Sequence, residues 1–442
     1  MLHRSENRKQ IAYYVLPSIS AMVVSFTYNV VDGMFVGQGV GENALAAVNL
    51  AVPFTEIMTA LASMLTVGGA TVMAIRKGRG EHEGANNAFM TSAMLVLIAG
   101  IVLTLIGVLF PAQIADTFGA TAVLMQETTD YIRWYSLFSI FFTLSILGCA
   151  FVRNDGSSGL AFWGMVSGAI ANIFLDWLFV FPFQWGIKGA AIASGLGQII
   201  ACIVLSTHFI KRHGILRIKK IRMDRALFKK IFTRGLPEFV IQMSQPITIF
   251  CYNHVILSYL GESGLAAFSA CTYMLLIVFG IFLGVSQGIQ PLIGNSFGEK
   301  QAEDVKYFFR TALGINFVAS LVLYGAYFLI GPAALSLFIK NTALLPVSFA
   351  ALKGYGLSLI PASINIIYIT YFLSTKNTSR AMVVSCSRGV VWNSICIFAI
   401  PTLFGVESIW FPMIAAELLT LCIAIIVKPG VTRQTDYKII AK

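Results

Sequence analysis

The sequence predicts an all-α, polytopic membrane protein of about twelve transmembrane helices in two six-helix repeats. Hydrophobic residues make up 57% of its 442 residues and charged residues only 12%, whereas soluble domains carry roughly 25% charged residues. Apolar runs long enough to cross about 30 Å of hydrocarbon recur along the whole chain. In addition, the second half repeats the first at a nearly constant offset. Together these observations predict two copies of one membrane unit.

Each apolar run gives one predicted helix. The lengths of the runs, and the lack of short alternating segments, favour helices over the strands of a barrel. The predicted spans are residues 14–38, 46–74, 86–110, 124–150, 160–182, 188–210, 236–260, 266–295, 305–330, 346–373, 380–402 and 406–427.

The repeat is visible in short motifs whose offset is about 220 residues. Leu16-Pro17 returns as Leu236-Pro237, and Gly41-Glu42-x-x-Leu45-Ala46-Ala47 returns as Gly261-Glu262-x-x-Leu265-Ala266-Ala267. The same offset pairs Gly68 with Gly288, Gly78 with Gly298 and Tyr135 with Tyr355, and Asn172 meets Asn393 with a drift of one residue. Paired membrane repeats with a site between or within them are typical of secondary transporters.

The net charge of +11 reflects membrane topology rather than nucleic-acid binding. With both termini in the cytoplasm, basic clusters such as Arg76-Lys77-Gly78-Arg79 face inward, as the positive-inside rule requires. We expect a multi-pass protein of the cell inner membrane that contacts the bilayer and no nucleic acid. The predicted domains are residues 1–210, a basic linker 211–234, and residues 235–442 with a short cytoplasmic tail. The linker mixes basic and apolar residues, which predicts an amphipathic segment at the membrane interface.

No motif in the sequence indicates catalysis or a cofactor. The chain has no Walker motif, nucleophile elbow or HExxH sequence. Its seven cysteines fall inside apolar spans, without a CxxC pair. We expect neither an enzyme nor a cofactor. An intramembrane enzyme is the less favoured alternative, because the scattered Ser and His residues offer no catalytic dyad at convincing spacing.

Charged residues inside the bilayer are costly and usually functional. Counting 1.5 Å per residue from the predicted outer helix ends places Asp32, Asp176 and Ser194 roughly 10–12 Å below the outer surface. Asn172 lies one turn before Asp176 and shares its face of the helix. These residues predict one oxygen-rich site in the first repeat.

Two tyrosines, Tyr131 and Tyr135, enter from span four at similar depth. The combined group suits a proton or Na⁺, with Asp32, Asn172 and Asp176 as the Na⁺ ligands. Two carboxylates placed close together also favour binding of one shared proton. The alternative is that the two acids cap helices or pair locally, for example with Arg133, and only fix helix packing.

Three further acids lie inside predicted spans. Glu56 either lines a cavity or pairs with a neighbour. Glu238 stands at a cytoplasmic helix start, where it either has a function or simply favours the positive end of its helix. Glu417 aligns with Gln198 and stands alone in the last span. The second repeat lacks the acidic pair, whose equivalents there are Tyr252 and Ile397.

Over essentially its full length the chain resembles the multidrug and toxic-compound extrusion (MATE) family. The motifs that carry the resemblance are Val31-Asp32-Gly33-Met34-Phe35-Val36-Gly37, Leu45-Ala46-Ala47-Val48-Asn49 with Pro53, Arg153-Asn154-Asp155-Gly156, Asn172-Ile173-Phe174-Leu175-Asp176 and Gly235-Leu236-Pro237. The resemblance implies a V-shaped pair of bundles that alternates between outward- and inward-open states, with drug efflux driven by H⁺ or Na⁺.

The resemblance also implies residue roles. The family's cation site maps onto Asp32, Asn172, Asp176 and Ser194 with Tyr131 close by, and its bent first helix corresponds to Pro17, which could equally occupy a first turn. One branch carries a glutamate where this chain has Gln245, so a C-terminal cation site is not expected.

The resulting hypothesis is a monomeric antiporter for small amphipathic, cationic organic compounds. The many Phe, Met and Tyr residues suit apolar and cation–π contacts with such substrates. Cation binding at Asp32 and Asp176 would release substrate outward. A flippase for lipids or lipid-linked oligosaccharides is the alternative, but it would need a cationic cavity, and Arg388 is the exception among mostly acidic intramembrane charges.

Overall fold

The computed structural model describes residues 2–120, 122–219, 224–335 and 345–427. The described part of the chain is helical throughout its regular elements and contains no strand. The helices of the first half are α1 (Leu2–Gly39), α2 (Glu42–Gly78), α3 (His82–Leu109), α4 (Pro111–Thr117), α5 (Met125–Ser136), α6 (Ser139–Asn154), α7 (Ser158–Val180) and α8 (Gly186–Ile210).

The second half follows the same plan. Its helices are α9 (Arg225–Gly298), α10 (Ala302–Leu335), α11 (Leu345–Gly356), α12 (Leu359–Ser374), α13 (Thr378–Cys386), α14 (Trp392–Phe404) and α15 (Pro412–Val427), with a π-helical turn at Ser387–Val391 and a 3₁₀ turn at Val406–Trp410. The repeated glycines mark equivalent breaks between the first two spans of each half. Gly41 has φ 127°, and α9 is interrupted at Gly261 with φ 64°. Both values lie in the region that favours glycine.

The fold class is confirmed, while the span count is only partly matched. Among the described residues, nine helices are long and apolar enough to cross a bilayer, and α5 with α6, bent by 53°, makes a tenth. Of the twelve predicted spans, the seventh (the first part of α9) is not among them, and the twelfth is the 16-residue helix α15. α9 begins at Arg225, inside the segment predicted to be linker.

The two halves meet where α1 and α2 pack along α9, and repeat-related glycines form this seam. A Cβ on Gly78 would lie 2.0 Å from the Asn295 carbonyl oxygen, and one on Gly298 would lie 2.2 Å from the Ile75 carbonyl oxygen. No side chain fits at such distances, so the backbones touch directly. Because Gly78 and Gly298 are repeat equivalents, this contact has approximate two-fold symmetry.

Polar side chains bridge the halves at the same end, beside the basic loops. The Arg153 Nη1 donates to Gln287 Oε1 at 2.6 Å, and Asn7 Nδ2 donates to Asp304 Oδ1 at 3.0 Å. Arg153 is only 5% exposed, and its guanidinium donates to the neutral acceptors Gln287 Oε1 and, at 3.5 Å, Ser18 Oγ. The seam is therefore closed by polar as well as apolar contacts.

The start of the linker is held against the first half. Asp155 accepts hydrogen bonds from the backbone N–H groups of Ile215 and Leu216 at 3.1 and 3.0 Å, and it pairs with His208 Nε2 at 2.9 Å and Lys77 Nζ at 3.3 Å. Burial raises the pKa of Asp155, but these partners outweigh it, so the pKa lies below its ordinary value. The described linker residues are thus attached to the bundle, in addition to any contact with the membrane surface.

Candidate functional site

The structure brings the predicted residues of the first half together. Asp32 lies on α1, Asn172 and Asp176 lie one turn apart on α7, and Ser194 lies on α8. The Asn172 Nδ2 donates to Ser194 Oγ at 3.2 Å, which links α7 to α8. Asn172 and Asp176 are buried, at 3% and 0% exposure. Depth counting worked because each of these helices has a regular rise.

The two carboxyl groups are close enough for their charges to interact. Two carboxyl groups placed in this way favour the binding of one shared proton, because two negative charges in a buried site repel each other. The site is a group of acceptors without donors: Asp32 Oδ1, both Asp176 oxygens and Asn172 Oδ1 are buried and receive no hydrogen bond from the described residues. Buried acceptors left in this way are costly. A proton or a cation would relieve that cost.

Tyrosines form one wall of the site. The rings of Tyr131 and Tyr135 stack with centroids 5.6 Å apart, and the Tyr131 hydroxyl lies within electrostatic range of Asp32 and Asp176. Tyr28 on α1 is close to the same two acids, and sequence reasoning missed it. Its position four residues before Asp32 places both on one helix face, which is the signal that could have found it.

The other predicted residues have more varied surroundings. Glu56 is half-buried and within electrostatic range of Tyr135. Pro17 lies inside α1, which continues through it as one helix. Gln245 lies on α9, but its side chain is outside the described part of the structure. Arg133 is exposed and has no ion pair within the described residues; local pairing of the acids with it is therefore not what the structure shows.

The second half contains a buried ion pair that the sequence did not predict. Glu417 does not stand alone: its Oε1 accepts from Arg388 Nε at 2.8 Å, and its Oε2 accepts from Asn365 Nδ2 at 2.7 Å. The error arose because pairing across helices depends on their rotation about their axes, which a span list does not give.

With this geometry established, comparison with known proteins identifies the family. The MatE family model matches residues 17–178 and 239–397, which is most of both repeats. The chain belongs to the MatE family. As a MatE protein it is a multi-pass membrane protein.

Relatives and solved structures agree with this assignment. The Multidrug export protein MepA of Staphylococcus aureus (strain bovine RF122 / ET3-1) is 23% identical over 425 residues, covering 95% of this chain and 93% of that protein. The Staphylococcus saprophyticus protein of the same name is 22% identical over 418 residues, covering 94% and 91%.

A solved outward-facing conformation of a multidrug resistance MATE family transporter of the MOP superfamily has a TM-score of 0.90 at 24% identity, covering 98% of this chain and 97% of that one. A Pyrococcus furiosus transporter of the MOP superfamily, whose binding pocket is described as having reverse polarity and suggesting a different function, has a TM-score of 0.89 at 24% identity, covering 99% and 97%. The MatE chain therefore shares the fold of these transporters.

Proposed function

We propose that this protein is a secondary active exporter of amphipathic, cationic organic compounds, driven by proton influx through the site at Asp32 and Asp176. Its MatE membership and the multidrug export described for its relatives support the transport class. We further propose that it acts as a monomer in the cell inner membrane, with both termini in the cytoplasm.

The observation that carries the proposal is the group of buried acceptors around the paired carboxyls. Asp176 is fully buried, whereas Asp32 is only half-buried. Asp32 is thus the accessible member through which a cation would reach Asp176. The interaction between two buried carboxyl groups favours H⁺ over Na⁺, because one bound proton removes their mutual repulsion. Na⁺ remains the second candidate, with Asp32, Asn172 and Asp176 as oxygen ligands.

Proton binding would change how α1 and α7 interact. Without the proton, the two carboxylates repel each other in a poorly solvated site; with it, they hold the helices together through a hydrogen bond. Because α1 also forms the seam, this local change can bias the halves between two arrangements. Coupling to export requires that the proton binds one arrangement more tightly than the other.

Reconstitution in liposomes tests the proposal. Export of a fluorescent organic cation should follow an imposed pH gradient and should not follow a Na⁺ gradient. Asp32→Asn and Asp176→Asn should each abolish gradient-driven export. Asp130→Asn is the matched control, because Asp130 is a carboxylate on α5 paired with Lys188 at 3.3 Å outside the site. Gradient-driven export by Asp32→Asn at the wild-type rate would overturn the assigned site, and export driven by Na⁺ alone would replace the ion.

A further inference from the structure

The second half has its own buried polar cluster, separate from the site above. Arg388, with a side chain 13% exposed, pairs with Glu417, which is 1% exposed. Asn365 donates to Glu417 twice, at the carboxylate (2.7 Å) and at the backbone carbonyl (2.9 Å). The cluster joins α12, the π turn and α15 in the interior of the second bundle.

The first half shows that the fold does not need this charge. Ser145 and Gln198 are the repeat equivalents of Asn365 and Glu417, and the Ser145 Oγ donates to Gln198 Oε1 at 2.5 Å. A neutral hydrogen bond therefore joins the equivalent helices there. A buried ion pair is often no more stabilising than a neutral replacement, because desolvation offsets the attraction. Packing alone is thus a poor reason for Arg388 and Glu417.

Arg388 also stands on an irregularity of the backbone. It lies in the π-helical turn Ser387–Val391, whereas the equivalent helix α7 is a regular α-helix. A π turn holds an extra residue and is frequent at functional sites. The offset between the two repeats increases by one residue at Asn172 and Asn393, just after the position of the π turn. Asn393 Nδ2 donates to the Arg388 carbonyl at 2.7 Å, which stabilises the turn.

Arg388 keeps an open edge, and a carboxylate and an aromatic ring lie in its surroundings. Arg388 uses only Nε toward Glu417, while Nη1 and Nη2 have no partner among the described residues and are not buried. Glu238 on α9 is within electrostatic range of Arg388, forms no ion pair with a described residue, and is half-buried. The Arg388 guanidinium carbon lies 5.9 Å from the centre of the Phe279 ring. An open guanidinium edge, a carboxylate and an aromatic face therefore lie in one region of the second bundle.

We propose that this cluster is a substrate subsite that binds the carboxylate of zwitterionic organic compounds at Arg388, with Glu238 and Phe279 facing their cationic part. The planar guanidinium edge of arginine suits bidentate binding of a carboxylate. Glu417 and Asn365 fix the orientation of Arg388 and leave that edge free. This inference rests on the proposed export function and extends its substrates beyond simple cations.

A matched pair of dyes tests the inference: tetramethylrhodamine, which carries a free carboxylate, and its methyl ester, which does not. The variant Arg388→Gln/Glu417→Gln removes both charges while keeping groups that can hydrogen bond, as in the first half. It should lower binding and export of the acid at least tenfold relative to the ester. Arg388→Lys should also lower the acid-to-ester ratio, because lysine lacks the planar edge. Asp130→Asn should leave the ratio unchanged.

Binding to the purified protein separates this inference from the proposed function. If the wild type binds both dyes but exports neither, the export proposal fails. The acid-to-ester binding ratio of the wild type and the double variant still shows whether Arg388 binds the carboxylate. An unchanged acid-to-ester ratio in the double variant, with normal ester binding, would show that the ion pair only packs the bundle. Failure of the wild type to bind the acid would also overturn the inference.

Discussion

The bond between Arg153 and Gln287 allows a direct test of how the seam closes. Gln287→Glu would give the buried guanidinium a charged partner at the same position, 2.6 Å away in the wild type. Gln287→Ala would remove that acceptor. Because both groups would face water once the halves separate, each change acts mainly on the closed seam. The two variants should therefore shift the seam in opposite directions.

The size of the effect follows from the burial of Arg153, which is 5% exposed. Hydrogen bonds to charged groups contribute about 1.5–3 kcal/mol, and the wild-type bond is already one of these, so Gln287→Glu adds only the attraction of its negative charge to a guanidinium that is already desolvated. After the cost of desolvating the new carboxylate, we expect Gln287→Glu to stabilise the closed seam by about 1–2 kcal/mol, about five- to thirtyfold in population. Gln287→Ala should destabilise the closed seam by about 1–3 kcal/mol, because the buried charge loses an acceptor.

The fraction of molecules with an open seam can be measured with a cysteine in place of Ile289. Ile289 is fully buried and belongs to the same apolar cluster as Ile11 and Val15 of α1, which spans the seam. In a background lacking the seven native cysteines, a membrane-impermeant maleimide applied from the cytoplasmic side should label Ile289→Cys only when the seam opens. Labelling should slow about five- to thirtyfold with Gln287→Glu and accelerate with Gln287→Ala.

The control is the same substitution one turn along the helix. Gln290 Nε2 donates to the neutral Thr71 hydroxyl at 3.3 Å, so Gln290→Glu brings no cation to pair and should not slow labelling. If Gln287→Glu and Gln290→Glu had the same effect, or if Gln287→Ala slowed labelling, then Arg153 would not be closing the seam.

Three further outcomes are expected. Gly78→Ala should destabilise the closed seam by about 1–3 kcal/mol and speed the same labelling, because its Cβ would meet the Asn295 carbonyl, whereas Gly159→Ala, with open space around it, should not. Asp155→Asn should speed tryptic cleavage in residues 211–219 about tenfold, because the linker loses a charged acceptor; unchanged cleavage would contradict that attachment. Burial and nearby cations lower the pKa of Lys376 to about 8, so its acetylation rate should level off by about pH 9, where an ordinary lysine with a pKa near 10.4 is still accelerating. Folding disfavours the charged form of Lys376. The free energy of unfolding should therefore increase as the pH rises from about 8 to about 10.4, where the unfolded chain still binds the proton that the folded protein has lost.

Features that depend on position along a helix could be predicted from the sequence. Depth counting placed Asp32, Asp176 and Ser194 at one level, and in the structure Asn172, one turn from Asp176, donates to Ser194. The repeated Gly-Glu motif predicted the breaks at equivalent places. These inferences need only a constant rise per residue and the period of the helix.

Features that depend on helix rotation or on tertiary hydrogen bonds could not be predicted in the same way. The Arg388–Glu417 pair depends on how the π turn rotates the following residues toward α15. The attachment of the linker depends on two backbone N–H groups reaching Asp155, and such contacts leave no periodic pattern.

The glycine seam also has a mechanical consequence. α2 is 37 residues long, which is about 55 Å at 1.5 Å per residue, and its contact with α9 at Gly78 lies at its very end. A rotation of about 10° about this point would therefore move the opposite end of α2 by about 10 Å. The contact at Gly78 is then the pivot about which the whole length of α2 rotates. As long as the Gly78 contact holds, a small rotation at this end of α2 becomes a large displacement at the other end.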